Sequence, residues 1–131
     1  MSTSGILDCY TTIGSVTAER FEHFVYQSLV PVLQPFDGIN PNSVVILDNA
    51  SIHHAEVVVQ AIQSTGALVQ FLPPYSPDLN PIEESFSKLK SNMKAKELTT
   101  EENDPHIALL TAINDISVHD CIQWITHAGY V

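Results

Sequence analysis

VVILDNASIHHAEVVVQAIQSTGALVQFLPPYSPDLNPIEESFSKLK, residues 44–90, decides how this chain folds. It opens with Val44 to Leu47, an unbroken apolar and mostly β-branched run that reads as a strand buried on both faces. Asp48 follows directly, so its carboxylate emerges at the carboxyl end of the strand, the edge of an α/β sheet where ligands bind. His53 to Thr65 reads as a helix with Val58, Ala61 and Ile62 inward and Gly66 as its C′ residue. Ala67 to Leu72 is the next strand, and Pro73 to Asp78 breaks regular structure. Asn80 and Pro81 then supply an N-cap and a first helical position. The helix they start carries Glu83 in its first turn and Ile82, Phe86, Leu89 and Met93 along one face. Residues 49 to 82, thirty-four positions, separate Asp48 from Glu83.

Outward from this block, Gly5 to Tyr10 (GILDCY) reads as a short strand. Thr17 to about Gln34 places Phe21, Phe24, Val25, Leu29, Val32 and Leu33 on one helical face, with Thr17 as N-cap. Pro35 to Ser43 is a turn-rich loop, and Glu97 to Asp104 an acidic one. Pro105 to Ile116 and Val118 to His127 read as two closing helices. The alternation of strands and helices predicts an α/β domain with some parallel pairing.

At 131 residues the chain is about one domain long, and 44% hydrophobic residues with mean hydropathy +0.08 mark it as globular. No apolar run approaches the ~20 residues of a membrane span, and MSTSGILDCYTT lacks a secretory pattern. An intracellular location is expected. Cys9 and Cys121 are too few for a disulfide framework and lack metal-type spacing. Asn49-Ala50-Ser51 matches a glycosylation sequon by chance. Fifteen acids against five bases give a net charge of −10, the wrong sign for a nucleic-acid binder taken whole. Four of those five bases, Lys88, Lys90, Lys94 and Lys96, nevertheless cluster just beyond Glu83 with no acid among them. They form either a solvated helix face or a patch for a phosphate backbone.

Each carboxylate has an ordinary reading beside a chemical one. Asp48 alone is a turn or capping residue, and Asn49 has the same claim. Glu83 and Glu84 are both helix-start acids favoured by the macrodipole. Glu83, next to Ile82, is placed on the core-proximal flank, and Glu84 further round. Acids converging from a strand end and a helix start suit Mg²⁺ or Mn²⁺, which take carboxylate and water oxygens and serve phosphoryl transfer. His53 and His54 are adjacent, so they point apart; a surface or capping role is expected for both.

LDNASIHH (47–54) and LPPYSPDLNPIEESFSKLK (72–90) resemble the catalytic domain of DDE transposases of the mariner type. The resemblance is strongest over 40–95 and extends from about 5 to 130. It implies a ribonuclease-H-like fold, a mixed sheet flanked by helices, with DNA as substrate, Mg²⁺ or Mn²⁺ as cofactor and, of the two intracellular locations, nuclear or cytoplasmic, the nuclear one. Asp48 then falls on the second catalytic acid and Glu83 on the third, both as metal ligands. The family's first Asp belongs to the first strand, and residues 5–10 match the third. Asp8 is read as a turn or edge-strand residue. The chain is therefore expected to be a partial catalytic domain lacking the first two strands, the first acid and the DNA-reading N-terminal region.

Two functions follow as expectations. One is a transposase-derived endonuclease fragment, inactive or weak alone. The other is a non-catalytic module, domesticated from a transposon, that binds nucleic acid through Lys88, Lys90, Lys94 and Lys96 or pairs with protein. Loss of the central strand leaves Val44 to Leu47 with an exposed edge, available for self-association.

Overall fold

The computed structural model describes residues 1–12, 14–97 and 105–130. The protein is α/β, with five α-helices and a small parallel sheet among the described residues. It divides into two compact units, Ile13–Ser76 and Met1–Thr12 with Pro77–Val131.

In the unit of residues 13–76, Thr17 caps α1 (Ala18–Phe24), its hydroxyl accepting from the Arg20 N–H at 3.2 Å. The long helix expected to Gln34 does not continue as one. Pro31 lacks an N–H and its ring crowds the turn before it. The chain instead passes through a π turn, Val25–Leu29, and a 3₁₀ turn, Val30–Val32, and Leu33 is extended. The periodicity survives the change of helix type, because Val25 is fully buried with Phe21, Leu29 and Leu33 around it.

β1 (Val44–Leu47) and β2 (Leu68–Phe71) pair in parallel, Val44 opposite Leu68 and Leu47 opposite Phe71. Leu68 N–H donates to Ser43 O at 2.9 Å and Leu72 N–H to Leu47 O at 2.8 Å, one bond at each end of the ladder. Parallel strands need a crossover, and α2 (Glu56–Gln63) supplies it. Its Val58, Ala61 and Ile62 are buried as the sequence requires, against Val25, Val45 and Ala67. The helix starts later than expected, because Ser51–His54 forms a 3₁₀ turn and Ala55 (ψ 129°) breaks the path. Val44 is 42% exposed and Leu68 47%, so β1 is not covered on both faces.

In the other unit, GILDCY is not a strand. Ser2 and Gly5 make an isolated bridge, and residues 6–10 join no ladder. Extended backbone without a neighbour satisfies its polar groups locally, and Cys9 N–H does so on Asp8 Oδ1 at 2.7 Å. Three α-helices follow among its described residues: α3 (Pro81–Glu97), α4 (Pro105–Asn114) and α5 (Val118–His127). Asn80 caps α3 through its side-chain oxygen and the Ile82 N–H at 3.3 Å. The face of α3 differs from expectation: Phe86 is 49% exposed and Ser85 is buried. Polar groups explain the rotation. Lys88 pairs with Asp120 of α5, Asn92 donates to Ala112 O of α4 at 3.3 Å, and Ser85 donates to Ile82 O. Ser117 and Asp120 form a capping box at the start of α5. Ala112 and Cys121 are fully buried. The loop expected at 97–104 falls, beyond Glu97, outside the described residues.

Candidate active site

Asp48 leaves β1 where the sequence places it, at the strand's carboxyl end. Its side chain is 47% exposed. Oδ1 accepts from the Ala50 N–H at 3.0 Å, which turns the chain away from the strand and fixes one carboxylate oxygen. Nδ1 of His53 lies 2.6 Å from that same Oδ1. The approach is close without being aligned as a hydrogen bond, so the buried Nδ1 has no hydrogen-bond acceptor. The imidazole stacks on Phe21 of α1, ring centroids 4.4 Å apart at 37°. His53 is thus no surface group: its side chain is 18% exposed. The 3₁₀ turn folds it back over Asp48, which sequence reasoning missed by continuing the helix through residue 53. The periodic Phe21 was the available signal that an apolar partner awaited it. The side chain of His54 lies outside the described residues.

Glu83 sits in the first turn of α3, its N–H donating to Asn80 O at 3.1 Å. Its carboxylate is exposed and has no partner among the described residues. The flanks are the reverse of those expected. Glu84 is the acid turned toward a neighbouring helix, with its Oε1 2.6 Å from His127 Nδ1 of α5. That carboxylate holds the His127 imidazole above its ordinary pKa. The start of α3 is tied down further by Tyr130, whose hydroxyl donates to Leu79 O at 2.6 Å in the 3₁₀ turn Pro77–Leu79.

Asp8 is not a strand residue. It lines a cavity of about 350 Å³ with Cys9, Leu110, Ile113 and Asn114. Burial, and then the Asp8 charge, push the Cys9 thiol up. Among the described residues no group of three or more His, Cys, Asp or Glu side chains gathers to hold a metal ion. Of the lysines, Lys88 is engaged by Asp120, while Lys90 and Lys94 are exposed one turn apart. The Lys96 side chain lies outside the described residues. Among those residues, no helix is long and apolar enough to cross a membrane.

A family model described as DDE superfamily endonuclease matches residues 1–104. The chain belongs to that family. No curated protein and no solved structure matched it. Membership in the DDE superfamily endonucleases carries a transposase-like nuclease function and an expectation of divalent-metal chemistry on DNA.

Proposed function

We propose that this DDE superfamily chain is a mariner-type catalytic domain carrying two carboxylates of the family's three, Asp48 and Glu83, as divalent-metal ligands. The observation that carries the reading is Asp48 itself: a half-exposed carboxylate at the carboxyl end of β1, one oxygen fixed by a backbone N–H. Glu83 supports it, with an exposed carboxylate that no described residue engages. The donor chemistry fits Mg²⁺ or Mn²⁺, which accept one or two protein carboxylates and complete their shell with water and substrate phosphate. A bound divalent ion supplies an activated water and charge neutralisation at a phosphate. Asp48 and Glu83 are each read as a carboxylate ligand for such an ion, and Lys90 and Lys94, exposed and engaged by no described residue, offer two ammonium groups to a phosphate backbone. Under this reading the pairing of β1 with β2 is part of a ribonuclease-H-like sheet. With two of three acids, these 131 residues bind metal weakly and do not cut DNA unaided.

Titration of Mg²⁺ and Mn²⁺ into wild type and Asp48→Ala, read by heat and by thermal unfolding, tests the assignment. Free metal at tenfold excess over Kd stabilises the wild type by about 1.4 kcal/mol, and Asp48→Ala loses this. Equal metal response in both proteins refutes the assignment. Cleavage of supercoiled plasmid that disappears in Asp48→Ala refutes the claim of inactivity.

A second reading, a non-catalytic nucleic-acid-binding module, draws on the exposed Lys90–Lys94 pair. Salt-dependent DNA binding that persists in Asp48→Ala, together with no metal response, would select it.

A further inference from the structure

His53 is a partly buried imidazole to which the metal reading gives no task. Its Nδ1 atom is buried and lacks an aligned acceptor, an arrangement that costs free energy unless some state of the protein satisfies it. The oxygen 2.6 Å away is Asp48 Oδ1. The imidazole cannot easily turn aside, because its face is stacked on Phe21 and Phe21 packs against the buried cluster around Val25 and Ile62. The carboxylate is the freer partner: its terminal torsion is soft and roughly two-fold, and its side chain is 47% exposed. Donation from the Nδ1–H to Oδ1 requires the Asp48 carboxylate to turn about that torsion. Hydrogen bonds of this kind are often misaligned in ligand-free proteins and tighten when the ligand arrives.

We propose that His53 is a positioning residue, whose Nδ1–H holds Oδ1 of Asp48 so that the other carboxylate oxygen is presented to a divalent ion. The proposal rests on the reading of Asp48 as a metal ligand. Chain chemistry divides the work: Phe21 backs the ring, the ring and the Ala50 N–H (3.0 Å) both lie against Oδ1, and Oδ2 has no partner among the described residues. Partners that hold a ligating carboxylate in this way matter to affinity about tenfold or more. The arrangement also dictates a tautomer. Donation from Nδ1 to Oδ1 is open only to the tautomer that carries its proton on Nδ1.

Two substitutions separate the nitrogen from the ring. His53→Phe keeps a ring against Phe21 and removes Nδ1. His53→Asn discards the ring but places its amide nitrogen as many bonds from the backbone as Nδ1. Mn²⁺ affinity, measured by titration, is expected to fall about tenfold in His53→Phe with the unfolding midpoint retained. In His53→Asn affinity returns to within about threefold of wild type while the midpoint drops. A merely structural role would make affinity follow the midpoint in both variants, which overturns the proposal. So does a His53→Phe protein that binds Mn²⁺ as well as wild type or better. Asp48→Ala is titrated alongside. Unchanged Mn²⁺ binding there removes the underlying reading, whereas binding lost in Asp48→Ala but kept in His53→Phe removes only the role of His53. Long-range proton–nitrogen NMR on the wild-type protein gives a check independent of any variant's folding. A proton on Nδ1 supports the arrangement, and a bare Nδ1 overturns it.

Discussion

Gly66→Ala probes the packing that sets β2 beside β1. Gly66 has φ +85°, and a Cβ built on it would lie 2.8 Å from Pro35 Cβ and 3.0 Å from Pro35 Cα. The neighbour cannot swing aside, because proline has no alternative rotamer and its backbone is itself part of the clash. The Phe36 N–H donates to Gly66 O at 2.9 Å, so the two segments cannot separate without losing that bond. An L-residue in the left-handed region costs about 1–2 kcal/mol, and overpacking adds about 1–3 kcal/mol. The sum, about 2–5 kcal/mol, is a large share of the ~5–15 kcal/mol by which domains are stable. Gly38→Ala is the matched control: its φ is +84°, yet nothing lies within 4 Å of the added Cβ. It carries the backbone cost alone. Urea unfolding followed by circular dichroism, with amide exchange at Leu68 and Leu72 reporting on β2, measures both variants. Gly66→Ala is expected to lose about 1–3 kcal/mol more than Gly38→Ala. Equal losses would refute the close approach of Pro35.

Ser117→Ala removes one half of the capping box on α5 and is expected to cost about 1 kcal/mol in urea unfolding followed by Trp124 fluorescence. Asp120 is held below its ordinary pKa first by the Lys88 ammonium and then by the Ser117 N–H. Because the folded value is depressed, its stabilisation is present above the ordinary carboxylate pKa of about 3.9 and is lost as pH falls through the folded value. Lys88→Met should weaken that acid-side dependence in thermal melts. His127 has the opposite sign. Raised by Glu84, it contributes below the ordinary histidine pKa of about 6.5 and loses its contribution as pH rises through the folded value. Glu84→Gln should return the His127 titration, followed by NMR, toward the ordinary value. If the chain binds DNA, replacing Lys90 and Lys94 together should reduce the salt dependence of log K by about 2, whereas Lys88, engaged by Asp120, should contribute less.

Where one local signal dominates, the sequence was legible to within a few residues. Val44 to Leu47 has only a strand to form, Asn80-Pro81 only a helix to begin, and Val58, Ala61 and Ile62 only one side to bury. The errors fall where a competing interaction decides. GILDCY has strand composition, but a strand exists only with a partner, and partners are not encoded locally. Residues 17–34 have helical periodicity, yet one missing N–H at Pro31 changes the hydrogen-bond ladder without moving the buried side chains. On α3, hydrophobicity pointed to Phe86, whereas Lys88 and Asn92, polar side chains bonded across to α5 and α4, determine which face is covered. At the candidate site, Asp48 and Glu83 could be chosen from motif and position. The His53 ring over Asp48 is not chosen that way, because it depends on Phe21, thirty-two positions earlier in the chain, and periodicity marks Phe21 as inward without naming what it meets.

Cys121 lies fully buried on α5 and Cys9 is exposed, so the chain contains its own clock. A thiol reagent modifies Cys9 at a rate set by how often its proton leaves, and partial desolvation by neighbouring groups, then the Asp8 charge, slow that loss. The same reagent reaches Cys121 only in the fraction of molecules whose C-terminal helix has momentarily opened. The ratio of the two labelling rates, after correction for intrinsic thiol reactivity, reports the opening equilibrium of that unit in buffer, with no denaturant present. Ile13–Ser76 holds no cysteine, so the timing belongs to one unit and leaves the unit of Asp48 silent.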